Sequence, residues 1–346
     1  MHLAYYVFLF ARLIIFQQVS KHTDMPIPHS VVVCFKDAEN LVDSIVPTIL
    51  TQSSDDIVLV DDFSGDRTLE RLQPYGSDRV QVLKTSVDRP GKKQAAHEGI
   101  VAARHDRILV TDADCIPKEA IWATSMNAVK KKIVLGYSPM IKTSGIVNLF
   151  SRFETYMTGV QYLSYALAGI PYMGVGRNMI IDRSLRSANL EYIRGKNLAS
   201  GDDDLTINAI ADRDNTGICI VEESIVHTKS ATSLSGFINQ KTRHISTSVH
   251  YKLIHQLMLG AFSLSQILFY ILLFIGLFLG TIPLQVGLVA YGIKQCVQLM
   301  IHYRLTKKLH ETIRLHQHLL LDLLLFLYYL VMPFILLIRK NDNRWS

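Results

Sequence analysis

Asp112 and Asp114 stand one residue apart at the end of Ile108-Leu109-Val110-Thr111, and no other side chains in the chain are better suited by type and spacing to do chemistry. The apolar, β-branched run reads as a buried parallel strand, and Cys115-Ile116-Pro117 closes it. Carboxylates on either side of Ala113 can converge just beyond the strand's carboxyl end, where open α/β sheets hold their ligands. Two hard oxygens there suit Mg²⁺ or Mn²⁺, which keep several waters and take further ligands from a diphosphate. A lone D-x-D more often serves a turn or a helix cap, so its neighbours must decide.

The neighbours repeat one pattern. Val31-Val32-Val33 reads as a first strand that ends in Cys34-Phe35-Lys36-Asp37-Ala38-Glu39-Asn40, and Leu41, Ile45, Ile49 and Leu50 follow at helical spacing. Ile57 to Val60 makes a second strand, which stops at Asp61-Asp62-Phe63-Ser64-Gly65-Asp66, where Ser64 or Asp66 can cap the next helix. A third strand lies near Val80 to Leu83, and Pro90-Gly91-Lys92-Lys93 opens a helix that feeds the Asp112 strand. Strands alternating with helices at this interval predict βαβ units and a mostly parallel sheet. Downstream, the sequence predicts a helix over 119–128, a strand at Ile133–Leu135, a mixed aromatic stretch over 146–170 and a close backbone approach at Gly174-Val175-Gly176-Arg177-Asn178. A strand at Ile180-Ile181, an acidic helix start at Ser200-Gly201-Asp202-Asp203-Asp204 and a strand at Ile218–Val221 complete this part.

Composition says where these elements work. Hydrophobic residues make up 49% of the chain and gather at its two ends. Residues 3 to 16 are apolar apart from Arg12 and short for a full span, which leaves a tilted transmembrane helix, a signal peptide or, the favoured reading, an interfacial anchor over 1–20. After His227 a basic amphipathic segment over 236–255 precedes two or three candidate crossings over 256–339, namely Leu257–Leu279, Ile282–Ile301 with Lys294, and Leu319–Ile338 with Asp322. The tail 340–346 is basic, a charge that favours the inner face and that an odd number of crossings would place outside. Net charge is +6, with basic residues beside apolar segments, which points to membrane lipid headgroups and away from nucleic acid. Four scattered cysteines without zinc spacing indicate neither a disulfide framework nor a metal knuckle and fit a reducing compartment. His302, His310, His316 and His318 have no clustered carboxylate partner and read as interfacial residues.

Taken in order, VVVCFKDAENL, IVLVDDFSGDRT, PGKKQAAHEG, ILVTDADC, GVGRN, SGDDDL and QKTRH resemble a family 2 glycosyltransferase of the GT-A fold, in its membrane-anchored branch. The resemblance covers roughly residues 30 to 250. It implies an α/β, Rossmann-like domain over 28–235 followed by transmembrane helices, with its catalytic face in the cytoplasm of a bacterial inner membrane. It also implies a UDP- or GDP-linked sugar donor, a lipid-linked or glycan acceptor and a divalent cation.

Carried over by position, the resemblance gives Asp61 or Asp62 the nucleotide base, and Lys92, with Lys93 as substitute, the donor's phosphates. Asp112 and Asp114 become the metal-binding D-x-D, with Asp114 the direct ligand. Asp202 takes the place of the general base that accepts the acceptor's proton, with Asp203 or Asp204 able to replace it. Gln240, Arg243 and His244 match a Q-x-x-R-W motif with His for Trp, Arg243 facing the departing diphosphate. Asp37 and His97 depart from the family's usual asparagines, and no second signature follows the base, which leaves donor identity open. Two other functions fit the same residues. One is transfer to polyprenyl phosphate, an acceptor that is already an anion. The other is a polytopic transporter or channel with a degenerate nucleotide-binding domain.

Overall fold

The computed structural model describes residues 1–18, 27–86, 91–117, 119–187 and 201–339. Pro90, Ser200 and the tail 340–346 lie outside the described residues, and Asp202 is described in its backbone only. The chain forms two compact units. One comprises Gln17–Ile141 and Gly169–Lys229, the other Met1–Phe16, Lys142–Ala168 and Ser230–Ser346. These limits differ from the expected boundaries at 28–235 and 236–255. The aromatic stretch after Ile141 forms a helix, Ile146–Leu167, whose partners are the apolar helices of the second unit.

The first unit is built on a seven-stranded sheet of order β3-β2-β1-β4-β7-β6-β8. Its strands are β1 Ser30–Phe35, β2 Asp56–Asp61, β3 Val80–Lys84, β4 Arg107–Asp112, β6 Ile133–Gly136, β7 Met179–Asp182 and β8 Thr216–Cys219, while β5 Ile116–Pro117 and β9 Val226–His227 form a separate antiparallel pair. β3, β2, β1 and β4 run parallel; β7 is antiparallel to both neighbours. The continuous apolar runs arise because both sheet faces are covered. Val31, Val33 and Phe35 pack with Val42, Ile45 and Ile49 of the Glu39–Leu50 helix, whereas Val32 packs with Ala95 and Ile100 of the Lys92–Ala102 helix. Register then places the acids: Phe35 pairs with Asp61 and Cys34 with Asp112, so both aspartates lie level at one edge, flanking the end of β1.

The second unit is helical. Leu253–Phe278, Leu284–Lys308 and Gln317–Ile338 are each long and apolar enough to cross a membrane. The N-terminal helix His2–Ile15 buries Tyr6, Phe10 and Leu13 within this unit and leaves Val7, Phe8 and Ile15 exposed. The expected basic surface segment forms the Leu234–Ser248 helix, yet it is more than an interfacial ribbon, because Lys241 is buried and ion-paired with Glu154. Two histidines read as interfacial are interior instead. His302 and His318 are both buried, their rings stacked 4.4 Å apart, and the Tyr156 hydroxyl lies 2.9 Å from His302 Nδ1. For His302 a neighbouring helix supplies the polar partner that solvent would otherwise provide, whereas both ring nitrogens of His318 are buried without a hydrogen-bond partner among the described residues.

Candidate active site

Loops at the carboxyl edge of β1, β2 and β4 hold the site together through side chain to backbone bonds. The Asp37 carboxylate accepts from Gly65 N–H at 2.7 Å, and Asp66 accepts from the N–H groups of Glu39 and Thr68 at 3.1 and 2.9 Å. Lys36 Nζ donates to the carbonyls of Asp62 and Phe63 at 3.0 and 2.6 Å. Two successive strand ends are thereby stitched into one rigid floor.

Asp61 and Asp62 sit on that floor, both buried. Asp62 Oδ1 accepts from Gly91 N–H at 2.7 Å, and Gly91 has φ +147°, a conformation that favours glycine. Burial pushes the Asp62 carboxyl up, although the Gly91 bond and Lys36 oppose this. Asp61 Oδ2 accepts from Ser64 N–H at 3.3 Å, while its Oδ1 is buried without a hydrogen-bond partner among the described residues. A buried acceptor left open is costly, and a donor group on a bound molecule would satisfy it.

Lys92 begins the helix after Gly91, and its Nζ lies 2.8 and 2.9 Å from the two oxygens of Asp112. Crowding by protein draws the ammonium's pKa down, but the carboxylates of Asp112 and Asp203 outweigh it and the net direction is up. Lys92 is therefore a fixed cation at this edge. Asp112, Asp114 and Cys115 bring their ligand atoms within 4.8 Å of one another. The Cys115 Sγ lies 3.3 Å from Asp114 Oδ1 and the thiol is pushed well up, by burial first and then by Asp112 and Asp114. The sulfur is the soft donor of this cluster and the two carboxylate oxygens are the hard ones. That donor set fits Mg²⁺ or Mn²⁺ with other ligands from water and phosphate.

Asp203 is bound to the glycine loop. Its Oδ2 accepts from Gly176 N–H at 2.6 Å, and a Cβ added at Gly176 would lie 2.9 Å from that oxygen. The close approach expected at Gly174-Val175-Gly176 thus has a definite partner. Asp202 is the first residue of the Asp202–Ile210 helix, and Asp204 is buried. Lys93 lies in the first turn of the Lys92–Ala102 helix. Gln240, Arg243 and His244 belong to the Leu234–Ser248 helix of the other unit, where Gln240 Oε1 is buried without a hydrogen-bond partner among the described residues.

One residue escaped the sequence reading. Arg177 acts electrostatically on Cys115, its carbonyl accepts from Thr111 Oγ1 at 2.8 Å, and its Nε is buried without a hydrogen-bond partner among the described residues. The available signal was its place directly after Gly176, in the glycine loop that Asp203 engages. Next to it, Asn178 is locked by the Trp122 indole at 3.0 Å and by the carbonyls of Tyr137 and Ser224, both at 2.8 Å.

Residues 30–136 match the model of "Glycosyl transferase family 2". Dolichyl-phosphate beta-glucosyltransferase of Mus musculus is 41% identical over 63 residues, which span 17% of this chain and 19% of that protein's length. Among solved structures, the mannosyltransferase PcManGT from Pyrobaculum calidifontis, in complex with GDP-Man and Mn²⁺, aligns with TM-score 0.52 and 15% identity over 94% of this chain and 96% of its own. That likeness shows the fold. TarS of S. aureus aligns with TM-score 0.44 and 15% identity over 68% of this chain and 43% of its own.

Proposed function

We propose that this chain, which belongs to glycosyltransferase family 2 and has the GT-A fold, transfers a sugar from a UDP- or GDP-linked donor to a hydroxyl of a lipid-linked or glycan acceptor, with inversion, at the cytoplasmic face of a membrane. The observation that carries the reading is the gathering of Asp61, Asp62, Lys92, Asp112 and Asp114 along one sheet edge, with Asp203 close enough to act on Lys92. In this reading the open Asp61 oxygen accepts from the nucleotide base, and Asp62 fixes the Gly91 turn beside it. Lys92 turns from Asp112 toward the phosphates when the donor enters. A Mg²⁺ or Mn²⁺ held by Asp112 and Asp114 would neutralise charge on the leaving diphosphate. Arg177 adds a cation beside the Cys115 end of the cluster. Asp202 takes the proton from the attacking hydroxyl, while Asp203, engaged by Gly176, holds the loop that presents it.

A second acceptor is favoured by one finding. The relative matched over 63 residues is named for a dolichyl-phosphate glucosyltransferase, so a polyprenyl phosphate is the alternative to a hydroxyl. A phosphate attacks as an anion and needs no base. The test is release of nucleoside diphosphate from a panel of nucleotide sugars with Mn²⁺, using both acceptor types. Asp114→Ala is expected to lower turnover about 100-fold or more and to weaken metal-dependent donor binding. Asp202→Asn is expected to abolish transfer to a hydroxyl acceptor but not donor binding, and to spare a polyprenyl phosphate acceptor. Absence of nucleoside diphosphate release with every donor would overturn the reading.

A further inference from the structure

A cavity of about 310 Å³ in the helical unit lies apart from every residue assigned above. Its lining includes Lys142, Thr143, Asn148, Arg152 and Arg314, and no acidic residue. It opens where the first turn of the Ile146–Leu167 helix meets the 309–316 connection between two candidate spans, which end at Lys308 and restart at Gln317. Exposed Ile146 and Leu315 lie beside its cations. Cations next to exposed apolar side chains, at the level where spans end, describe a lipid headgroup layer.

We infer that this cavity binds the phosphate of a membrane lipid. Arg152 forms its floor. It is only 3% exposed, bonds Thr312 and lies 3.5 Å from Glu311, and its Nε is buried without a hydrogen-bond partner among the described residues. The side chains of Lys142 and Arg314 make no hydrogen bond or ion pair among the described residues, so of the three cations on this lining only Arg152 has a carboxylate beside it, that of Glu311. Arginine offers a planar fork that matches phosphate oxygens, and lysine a mobile point charge. Backbone adds to this: the helix begins at Gly145, which has no side chain to cap the first-turn N–H groups, and these favour an anion. The volume lies at the lower end of the roughly 300–1,000 Å³ range of small-ligand pockets and suits a headgroup better than a whole lipid. Two lipids present that chemistry, an anionic phospholipid of the bilayer and a polyprenyl phosphate carrier.

The experiment is native mass spectrometry of the full chain in micelles, offered phosphatidylglycerol, a long-chain polyprenyl phosphate or the matching polyprenol. Wild type is expected to retain a phosphate-bearing lipid, and Lys142→Gln/Arg314→Gln to retain it about tenfold less. Both substituted residues are exposed and unpaired among the described residues, so the variant should melt as wild type does. Retention of phosphatidylglycerol alone assigns the site to the bilayer, and of polyprenyl phosphate alone to a carrier; retention of both supports the shared phosphate chemistry. Equal retention by variant and wild type, polyprenol held as well as its phosphate, or no lipid retained would each overturn the inference. No nucleotide sugar enters the measurement, so its failure is distinct from failure of the transferase reading.

Discussion

Two lysine–aspartate pairs show how surroundings change the meaning of the same contact. Lys92 and Asp112 meet at the sheet edge with their side chains 53% and 21% exposed. Lys294 and Asp322 meet between candidate membrane spans at 2% and 7%. Asp322 is also bonded by Gln266, Gln295 and Gln298 at 3.1, 3.0 and 3.1 Å and by the Tyr270 hydroxyl, and Lys294 donates to Gln298 at 2.8 Å. An exposed pair holds its partners loosely and can exchange them for a ligand, because water screens the attraction and supports either charge when they part. A buried pair with every bond satisfied cannot open without stranding a charge. The first suits a binding site and the second a structural joint, and each half of that contrast can be attacked.

The largest effect belongs to the buried pair. Asp322→Ala leaves Lys294 alone in the interior and should cost about 3–5 kcal/mol, read from denaturation in micelles. The double change Lys294→Met/Asp322→Leu should recover most of that loss; if the double variant is as unstable as the single, the joint is not an ion pair in energetic terms. Next is the glycine that abuts Asp203. Gly176→Ala places a methyl 2.9 Å from Asp203 Oδ2 and should slow transfer about 10- to 100-fold by displacing the acidic loop, with the melting temperature nearly unchanged. A fully active variant would show that the contact does not position the site.

A smaller effect is expected from pH. The Asp62 carboxyl titrates above its ordinary value, so on acidification it takes up a proton before an unperturbed aspartate would. Donor KM should then rise several-fold as pH falls toward that raised value and recover above it. Asp62→Asn should remove the pH-dependent part, and an unchanged profile in that variant would assign the titration elsewhere. The smallest effect is on stability at the exposed pair: Lys92→Met should change it by less than about 1 kcal/mol while donor KM rises clearly. A stability loss as large as that of Asp322→Ala would erase the distinction between the two pairs.

How much of this was legible in the chain depends on range. Asp112 and Asp114 were readable because the apolar run that places them is contiguous, and a fully buried parallel strand announces itself by composition. The three long helices were readable for the same reason. The interior positions of His302 and His318 were not, since a histidine in an apolar helix reads as interfacial until the fold brings up the Tyr156 that bonds His302 and the His302 ring that stacks on His318. Arg177 stayed hidden because its significance comes from the Asp112, Asp114 and Cys115 cluster at the end of β4, the strand beside the β7 that its loop leads into.

The amino-acid order alone determined the alternation of strands and helices, the acids at the strand ends and the segments able to cross a membrane, because periodicity and length are properties of neighbouring residues. Only the folded chain decided that Asp203 would meet Gly176, that Lys92 would lie on Asp112 and that Lys294 would find Asp322. Each of those contacts joins residues twenty or more positions apart, and the sheet register or helix packing that closes such a distance is written in no local pattern.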